Sequence, residues 1–491
     1  MKLSQMLKDI NIKEIIGSTD MNISGIAFNS SEVKTGYVFV CIKGFKVDGH
    51  SFARDAIDRG AVAIVGEYVP EDIASNIVVV DNSRLALAKM SAAYYDYPYK
   101  KFKLIGITGT NGKTTTATML NEILKCSGIK TGFIGTGKII SNNTVITDEK
   151  YSMTCPDPEI LYPAVKRIEK DGCDIIIMEV SSHALALEKV SPIPFHMAIF
   201  TGLSREHLDF HSNMENYLKE KEKLIKKAEF CIINCDDESG YELYNKYSFK
   251  SEGVGITRIT DNNALKIEDE ETAGTQYVLR GNNYLSAVKI NLPGEFNVYN
   301  SMLAFAAAVK MGIKPCDVKN ALKTVVSVEG RCEIIKSDIT VVVDYAHTPF
   351  ALENLLKTFK KTVKPNRSLT LVFGCGGERD KEKRSEMASV AEKYCQKIIV
   401  TNDNPRNENE EDIINDILKG FTGKSYGVIR NREAAIRYAI LSAKRQDTVI
   451  IAGKGHEKYV YDKNGYRKFE EKEIIIQAIK KREKKNNENK T

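Results

Sequence analysis

The stretch KLIGITGTNGKTTTATML, residues 103–120, decides the fold, because a short apolar run leads directly into glycines, a lysine and threonines. The glycines allow backbone amides to curve around an anion, and the helix predicted after Lys113 would point its N-terminus at that anion. Lys113 would neutralise phosphate and Thr114 would hold magnesium. The strict phosphate-loop pattern needs a glycine where the chain has Ile107, but the strand before the loop and the helix after it still predict a nucleotide site.

The composition is that of an ordinary globular protein with several domains. Its 491 residues exceed the size of a single core, which stops growing near ~250 residues. A net charge of +6 is too small to indicate nucleic-acid binding, and neither a membrane segment nor a signal peptide is predicted. We expect a cytoplasmic protein whose 10 cysteines, without any C-x-x-C pair, are reduced and mostly buried, with no zinc site.

Three blocks of different pattern predict three domains. Residues 1–99 contain short β-rich runs and end in the proline-bearing YYDYPYK, which is typical of a linker. Residues 100–328 and 329–491 each alternate strand-like and helical segments, and Gly312 is expected to end the helix NSMLAFAAAVKMG. This alternation predicts an α/β fold with mainly parallel sheets.

Polar residues follow nearly every predicted strand of the second and third blocks. Examples are TGTNGKT, EVSSH, DYAH, GCGGERD, NDNPR and GKGHE. Ligands bind at the carboxyl ends of strands in open α/β sheets. Two ligand-facing edges are therefore predicted, with the reaction centre between them.

Some of these segments suggest magnesium and nucleotide contacts. Glu179 in EVSSH and His207 in SREHLDFH would ligate magnesium beside a nucleotide's phosphates. Read singly, the first motif is more typical of a serine that caps a helix, and the second of a histidine with structural hydrogen bonds. Asp344 in DYAHTP would hold a sugar or adenine, although a strand-end turn with Pro349 beginning a helix also explains the proline.

Other segments suggest an amino-acid pocket. Arg379 and Arg406 offer guanidinium forks for a carboxylate or phosphate, and Glu457 suits an ammonium group. Together these groups describe a site for a zwitterionic amino acid. Taken alone, the run ERDKEKR around Arg379 is typical of the solvated start of a helix.

The motifs TGTNGKTTT, EVSSHAL, LSREHLDFH, LPGEFNVYN, DYAHTP, FGCGGERDKEKR, DNPR and AGKGHEKY occur in this order, and the set resembles the Mur ligase family over nearly the full length. The resemblance implies an N-terminal UDP-binding α/β domain, a central P-loop ATPase domain with a mainly parallel sheet and a C-terminal Rossmann-like domain. It also implies an ATP-dependent, amide-forming ligase of peptidoglycan synthesis. ATP would phosphorylate a glutamyl carboxylate, and an amine would attack the acyl phosphate.

The resemblance further implies roles for single residues of the nucleotide and metal sites. The catalytic set would be Lys113, Glu179, His207 and Lys221. Mg²⁺ would be held by Thr114, Glu179, His207 and a carbamate on Lys221. From pattern alone, MENYLKEKEKL around Lys221 is a solvated face. ATP, as co-substrate, would be bound by Gly109, Thr110, Asn111, Gly112, Lys113, Thr114, Thr115, Asn297, Arg331 and Asp344.

For a UDP-sugar dipeptide, the implied contacts lie in AFNSSEV, GFKVDGH, MTCPDPE and the segment after EVSSH. They are Phe28, Ser30, Phe45, Lys46, Val47, Thr154, Cys155, Ser181 and Lys189. The chain departs from the family's usual residues at Asn29, Ser31, Cys155, Leu187, Lys189 and Gly202. These departures concern the UDP-sugar site and leave the ATPase motifs largely intact.

The expected amino acid is meso-diaminopimelate, because Arg406 supplies a fork for the second carboxylate that lysine lacks. The implied pocket consists of Arg379, Asp403, Asn404, Pro405, Arg406, Gly453 and Glu457. Two alternatives stay open: a sister ligase of the lysine-adding or folylpolyglutamate type, and a P-loop regulatory or transport ATPase. The expected partners are a UDP-N-acetylmuramoyl dipeptide, diaminopimelate and ATP, with no nucleic acid, no membrane and a monomeric chain.

Overall fold

The computed structural model describes residues 1–69, 73, 75–147, 151, 153–270, 273–423 and 426–488. The β-strands are β1 (Ile12–Ile16), β2 (Gly25–Ala27), β3 (Tyr37–Val40), β4 (Ala61–Gly66), β5 (Asn76–Val80), β6 (Lys103–Thr108), β7 (Thr131–Gly135), β8 (Lys138–Ser141), β9 (Thr144–Val145), β10 (Ile175–Glu179), β11 (Met197–Phe200), β12 (Phe230–Asn234), β13 (Ser251–Gly255), β14 (Asn262–Asp269), β15 (Thr275–Arg280), β16 (Leu285–Ile290), β17 (Glu333–Lys336), β18 (Thr340–Asp344), β19 (Leu369–Phe373), β20 (Lys397–Val400), β21 (Tyr426–Val428), β22 (Thr448–Ala452), β23 (Tyr459–Asp462) and β24 (Gly465–Lys468). The α-helices are α1 (Leu3–Met6), α2 (Ala53–Asp58), α3 (Ser83–Tyr94), α4 (Lys113–Cys126), α5 (Pro158–Lys170), α6 (Ser182–Ala186), α7 (Leu208–His211), α8 (Met214–Lys227), α9 (Glu238–Lys246), α10 (Glu295–Lys310), α11 (Pro315–Leu322), α12 (Pro349–Thr362), α13 (Glu382–Tyr394), α14 (Glu410–Leu418), α15 (Arg432–Ser442) and α16 (Glu471–Glu488).

The chain divides into two compact units, each assembled from separate stretches of sequence. The first unit comprises Met1–Thr108, Ile129–Ala198 and Glu220–Phe230. The second comprises Gly109–Gly128, Ile199–Lys219 and Cys231–Thr491. The domain boundaries expected from the sequence stay a prediction.

The first unit contains two sets of mainly parallel strands. The N-terminal sheet has the order β1-β5-β4-β3-β2, and all its neighbours are parallel except β1 and β5. In the second set, β10 pairs in parallel with β6 and β7, and β8 and β9 continue from β7 as antiparallel strands. Val38, Ile64 and Ile177 are buried in these strands, as expected for parallel strands that are covered on both faces.

The second unit contains a doubly covered sheet with the order β17-β18-β22-β19-β20-β21, parallel except at β17. Helices α12, α13 and α14 pack on one face, and α15 and α16 pack on the other. In the same unit, β12 to β14 pair in parallel and β14 to β16 form an antiparallel meander. The predicted α/β fold with mainly parallel sheets is therefore confirmed.

Two predicted helix boundaries have the expected local chemistry. Thr348 accepts a hydrogen bond from the backbone N–H of Ala351, and Pro349 occupies the first position of α12. Helix α10 ends at Lys310, and Gly312 follows with a φ of 95°. That left-handed conformation is the usual end of a helix at glycine.

The cysteines are free thiols, and all are buried except Cys126 and Cys316. The prediction that the cysteines are mostly buried is thus confirmed. Among the helices of the described ranges, none is long and apolar enough to cross a membrane.

The burial of Arg384 corrects the interpretation of ERDKEKR as the solvated start of a helix. Helix α13 begins at Glu382 within ERDKEKR, as predicted, but Arg384 is fully buried rather than solvated. Its guanidinium donates two hydrogen bonds of 2.8 Å to Glu408 and one of 3.0 Å to Asp416. These bonds, foremost among the causes, lower the pKa of Glu408 to about 2. Carboxylates from distant segments therefore make burial of this charge possible.

Replacement of Arg384 by methionine should lower the free energy of unfolding by about 3–5 kcal/mol, because Glu408 and Asp416 lose the buried cation that bonds to both. Urea denaturation at neutral pH measures this difference. It should shrink as the pH falls below about 4, since the stability contributed by ionised Glu408 is lost as that carboxyl becomes protonated. Lys381→Met is the control, because its exposed ammonium lies 3.4 Å from the same Glu408 and should contribute less than about 1 kcal/mol. Equal losses in both variants would contradict this account.

Candidate active site

The phosphate loop between β6 and α4 adopts a left-handed backbone at two glycines. The φ values are 142° at Gly109 and 85° at Gly112. A Cβ atom at Gly109 would lie 1.9 Å from Oγ1 of Thr201, and one at Gly112 would lie 2.4 Å from Oδ1 of Asn300. Only glycine fits both positions. The backbone at the start of α4 can therefore approach an anion closely.

Lys113 curls back over the same loop. Its Nζ donates hydrogen bonds of 2.9 Å to the carbonyl oxygens of Gly109 and Thr110. Thr110 in turn accepts a hydrogen bond of 2.9 Å from the backbone N–H of Ser204. The ammonium is thus held beside the loop, where it would neutralise a bound phosphate.

A cavity of about 970 Å³ adjoins this loop. Its volume suits a nucleotide-sized ligand. The residues predicted for ATP that line it are Thr110, Asn111, Gly112, Thr115, Asn297, Arg331 and Asp344. Gly109, Lys113 and Thr114 belong to the same loop and helix start but do not line the cavity. Phe296, Phe350 and Leu355 add apolar surface, which suits the flat ring of a base.

Arg331 and Asp344 present opposite charges to this cavity. The guanidinium of Arg331 lies 4.1 Å from the ring centre of Tyr345, and its Nε is buried without a hydrogen-bond partner in the described part of the chain. Asp344 accepts hydrogen bonds of 2.6 Å and 2.7 Å from the backbone N–H groups of Cys332 and Ala346. Burial raises the pKa of Asp344, and Arg331 opposes that rise in part. The unpaired N–H of Arg331 leaves a donor for a ligand oxygen.

A second cavity, of about 120 Å³, collects most of the residues predicted for the amino acid. They come from the segments that follow β19, β20 and β22, because parallel strands bring their carboxyl ends to one edge. Those that line the cavity are Arg379, Asp403, Asn404, Arg406, Gly453 and Glu457. Pro405 is not part of the lining.

The charges in this second cavity favour an anionic group between two guanidinium groups. Burial lowers the pKa of Arg406, and the neighbouring Arg379 lowers it further. A bound carboxylate would relieve that repulsion. Burial disfavours the charge of Asp403, which lines the same cavity, but Lys454 and Arg432 outweigh it and lower the pKa of that carboxyl.

Glu206 and His347 form an ion pair that the sequence did not reveal. Nε2 of His347 lies 2.6 Å from Oε1 of Glu206, and Nδ1 lies 2.9 Å from the carbonyl oxygen of Tyr345. Both ring nitrogens of His347 therefore face oxygen atoms. Burial disfavours the Glu206 charge, but His347 and His207 hold the pKa of that carboxyl well below its usual range. Glu206 and His207 both line the second cavity. Nε2 of His207 lies 3.6 Å from Oε2 of Glu206.

In the first unit, Glu179 and Thr154 share one partner. Glu179 is fully buried and accepts hydrogen bonds of 3.1 Å from both the backbone N–H and the hydroxyl of Thr136. The Thr136 hydroxyl also lies 3.1 Å from the Thr154 hydroxyl. Sequence reasoning missed Thr136, because it stands in a short turn without a recognisable motif.

The other residues predicted near Thr154 have separate structural partners. Burial raises the pKa of the Cys155 thiol to about 12. Lys189 forms an ion pair of 2.7 Å with Asp157. Ser181 caps α6 by accepting a hydrogen bond of 3.1 Å from the backbone N–H of Ala184, so the capping-serine interpretation of EVSSH holds. A capping oxygen still keeps its own O–H to donate to a ligand.

The predicted UDP-sugar contacts of the N-terminal segment lie on loops next to the sheet. Phe28 packs partly against the core, and Ser30 begins a short 3₁₀ helix. Phe45, Lys46 and Val47 form an exposed turn. Arg84, which sequence reasoning missed, lies over the Phe45 ring at 5.8 Å and donates to the carbonyl oxygen of Lys43 at 2.9 Å.

The three lysines in KEKEK differ sharply in burial. Lys221 is 1% exposed. The Lys219 side chain is 62% exposed and pairs with Glu215, and the Lys223 side chain is 38% exposed and pairs with Glu220. Of these three lysines, only Lys221 contradicts the solvated face that the pattern predicted.

Comparisons with known proteins agree with this geometry. Three family models match successive segments: "Mur ligase family, catalytic domain" at residues 22–97, "Mur ligase middle domain" at residues 107–308 and "Mur ligase, glutamate ligase domain" at residues 330–455. The chain is also 40% identical over 489 residues to UDP-N-acetylmuramoyl-L-alanyl-D-glutamate–2,6-diaminopimelate ligase 1 of Clostridium acetobutylicum, covering 98% of this chain and 99% of that protein. The chain belongs to the Mur ligase family.

Further Mur ligases extend the comparison. The 2,6-diaminopimelate ligase of Clostridioides difficile is 40% identical over 494 residues, covering 98% of this chain and 100% of that protein. A solved structure of a ligase of the same description has a TM-score of 0.68 at 27% identity, covering 98% and 99% of the two chains. As a Mur ligase, the protein is an ATP-dependent enzyme that forms amide bonds.

The Gly112→Ala variant should bind ATP at least about tenfold more weakly, because the added methyl meets Asn300 at a backbone conformation that alanine adopts only with strain. Titration calorimetry measures the affinity. Gly128→Ala is the matched control, since Gly128 also has a positive φ, 78°, yet has nothing within 4 Å of its added Cβ. An equal loss of ATP affinity in the control would show that backbone strain, and not the phosphate loop, is responsible.

Proposed function

We propose that this Mur ligase joins meso-2,6-diaminopimelate to the D-glutamyl carboxylate of UDP-N-acetylmuramoyl-L-alanyl-D-glutamate in peptidoglycan precursor synthesis. The observation that carries the proposal is the second cavity, which holds Arg379, Arg406 and Glu457 together. A diamino dicarboxylic acid offers carboxylates to guanidinium groups and an ammonium to a carboxylate. The names of the two Clostridium and Clostridioides relatives support the same substrate.

The chemistry explains why both cavities are needed. A carboxylate is a poor electrophile until one of its oxygens becomes part of a leaving group. Transfer of the γ-phosphoryl group of ATP to the glutamyl oxygen gives an acyl phosphate and ADP. Attack by the neutral amine forms a tetrahedral intermediate, which loses phosphate and a proton to leave the amide. The phosphate loop and Lys113 would stabilise phosphate charge, and the second cavity would orient the amine.

The proposal includes Mg²⁺ as cofactor. No group of three or more His, Cys, Asp or Glu side chains that could hold a metal occurs within the described ranges. Mg²⁺ does not require such a cluster, because it is usually bound by substrate phosphates, waters and one or two carboxylates. When bound, Mg²⁺ would neutralise phosphate charge. The residues proposed to hold it are Thr114, Glu179, His207 and a carbamate on Lys221.

Domain roles follow the same proposal. Residues 1–99 would form the UDP-binding domain, residues 100–328 the ATPase domain and residues 329–491 the amino-acid domain. The segments matched by the three family models support these boundaries. We further propose a monomeric enzyme of the cytoplasm, and analytical ultracentrifugation tests its oligomeric state.

Phosphate release from ATP should require both the UDP-linked dipeptide and meso-diaminopimelate. Lysine should have a kcat/KM lower by about 10³-fold or more, because it leaves the partly buried guanidinium of Arg406 without a carboxylate. Steady-state assays with each amino acid test this. Equal use of lysine would favour a lysine-adding ligase, and ATP hydrolysis that needs no amino acid would favour a regulatory ATPase.

Arg406→Ala should raise the KM for meso-diaminopimelate by about tenfold or more while the KM for ATP stays unchanged, because one charge-assisted pair is lost. Arg430→Ala is the control, since its side chain is 59% exposed and pairs with Glu411. Equal changes in both KM values would mean that Arg406 supports the fold rather than the substrate.

Lys221→Ala should lose about 100-fold or more of the activity, with partial recovery in added formate or acetate, because a small carboxylate would replace the carbamate. Lys219→Ala and Lys223→Ala are matched controls on the same helix and should keep wild-type activity. A folded Lys221→Ala protein that short carboxylates do not rescue would count against the carbamate.

A further inference from the structure

Lys454 lies buried behind the second cavity and is not one of its lining residues. Its Nζ donates to Oδ1 of Asn404 at 2.8 Å, to the carbonyl oxygen of Tyr459 at 2.9 Å and to Oε2 of Glu457 at 3.3 Å. An ammonium group has three donors, so all three are used. The lysine therefore ties the loop after β20 to the loop after β22 and to the start of β23.

This arrangement determines which way the Asn404 amide points. Its Oδ1 receives hydrogen bonds from Nζ of Lys454 and, at 3.0 Å, from the backbone N–H of Tyr461. Neither donor can accept a hydrogen bond, so the amide nitrogen must occupy the other position. There it donates to Oε2 of Glu457 at 2.8 Å and keeps a second N–H.

Lys454 also belongs to a row of alternating charges. Glu471 lies 2.6 Å from Arg432, Arg432 lies 3.9 Å from Asp403, and Asp403 lies 3.7 Å from Lys454. Glu457 ends the row in the cavity. Loss of Lys454 would leave two neighbouring carboxylates, those of Asp403 and Glu457, with one cation fewer between them.

We propose that Lys454 is a positioning residue that sets the polarity of the amino-acid pocket, holding Asn404 as a donor and Glu457 as an acceptor. The inference rests on the proposed function, because that function makes this cavity the amino-acid site. With Asn404 and Arg406 donating and Glu457 accepting, the pocket recognises a substrate end that carries a carboxylate and an ammonium together. Lys454 acts only through these neighbours and contacts no substrate.

The other groups around Glu457 do not replace Lys454. The Tyr345 hydroxyl donates to Oε1 of Glu457 at the longer distance of 3.4 Å. Arg406 directs Nη1 to the carbonyl oxygen of Gly377 at 2.6 Å. Neither contact constrains the Asn404 amide. The backbone N–H of Tyr461 also orients the Asn404 amide, but Lys454 contacts both Asn404 and Glu457 and so holds the donor and the acceptor together.

Two variants of Lys454 separate positioning from general support of the fold. Lys454→Met removes the donors and the charge at similar length, whereas Lys454→Gln keeps an N–H for Oδ1 of Asn404. In the full-length enzyme, Lys454→Met should raise the KM for meso-diaminopimelate about tenfold or more, with the KM for ATP unchanged, and Lys454→Gln should recover part of that loss. Lys458→Met, from an exposed lysine of the same loop, is the control and should match the wild type.

Asn404→Asp provides a test that does not depend on how well Lys454→Met folds. Aspartate still accepts from Lys454 and Tyr461 but cannot donate to Glu457, so the KM for meso-diaminopimelate should rise again. Combined with Lys454→Met, it should add little, because both changes disrupt one network.

Several results would overturn the proposal: an unchanged KM for meso-diaminopimelate, parallel rises in both KM values, no advantage of glutamine over methionine, or additive effects of the two sites. The wild-type assay separates this inference from the proposed function. No activity with meso-diaminopimelate in the wild type would reject both. Wild-type activity with an unaffected Lys454→Met variant would reject the positioning role alone.

Discussion

Parallel strands end at one edge of their sheet, and the rest of the site depends on this constraint. In the second unit, the end of β18 and the segments after β19, β20 and β22 meet at such an edge and supply Asp344, Arg379, Arg406 and Glu457. Helices cover both faces of the sheet, so its strands are buried. The loops at the strand ends are not part of this core and can present polar side chains. The strand order of the sheet therefore determines where the amino-acid pocket lies.

Charge compensation is the second requirement of this architecture. Arg384, Arg432 and Lys454 are all buried, and each has carboxylates within ion-pair distance. Burial of an unpaired charge would cost several kcal/mol, so each cation holds particular loops in one arrangement. Arg384 secures α13 to the segment before α14, whereas Lys454 secures the loops of the pocket. Buried ion pairs therefore stabilise the fold at Arg384 and the arrangement of the pocket at Lys454.

Much of the fold was predictable because its signals are local. The alternation of apolar runs and helices indicated parallel sheets, and Gly312 and Pro349 marked helix boundaries through their own backbone limits. The site residues were predictable as motifs but not as contacts. Glu206 and His347 pair across 141 residues of sequence, a distance at which no pattern of neighbours carries information.

The sequence by itself determined the phosphate loop, the α/β class and the family, because glycine spacing and ordered motifs depend on adjacent residues. Only the tertiary structure decided which lysine of KEKEK is buried, why Arg384 is buried and which way the Asn404 amide points. Burial and hydrogen-bond direction depend on atoms supplied by distant segments. Identical residue types, such as Lys219 and Lys221, therefore acquire different environments that no local pattern distinguishes.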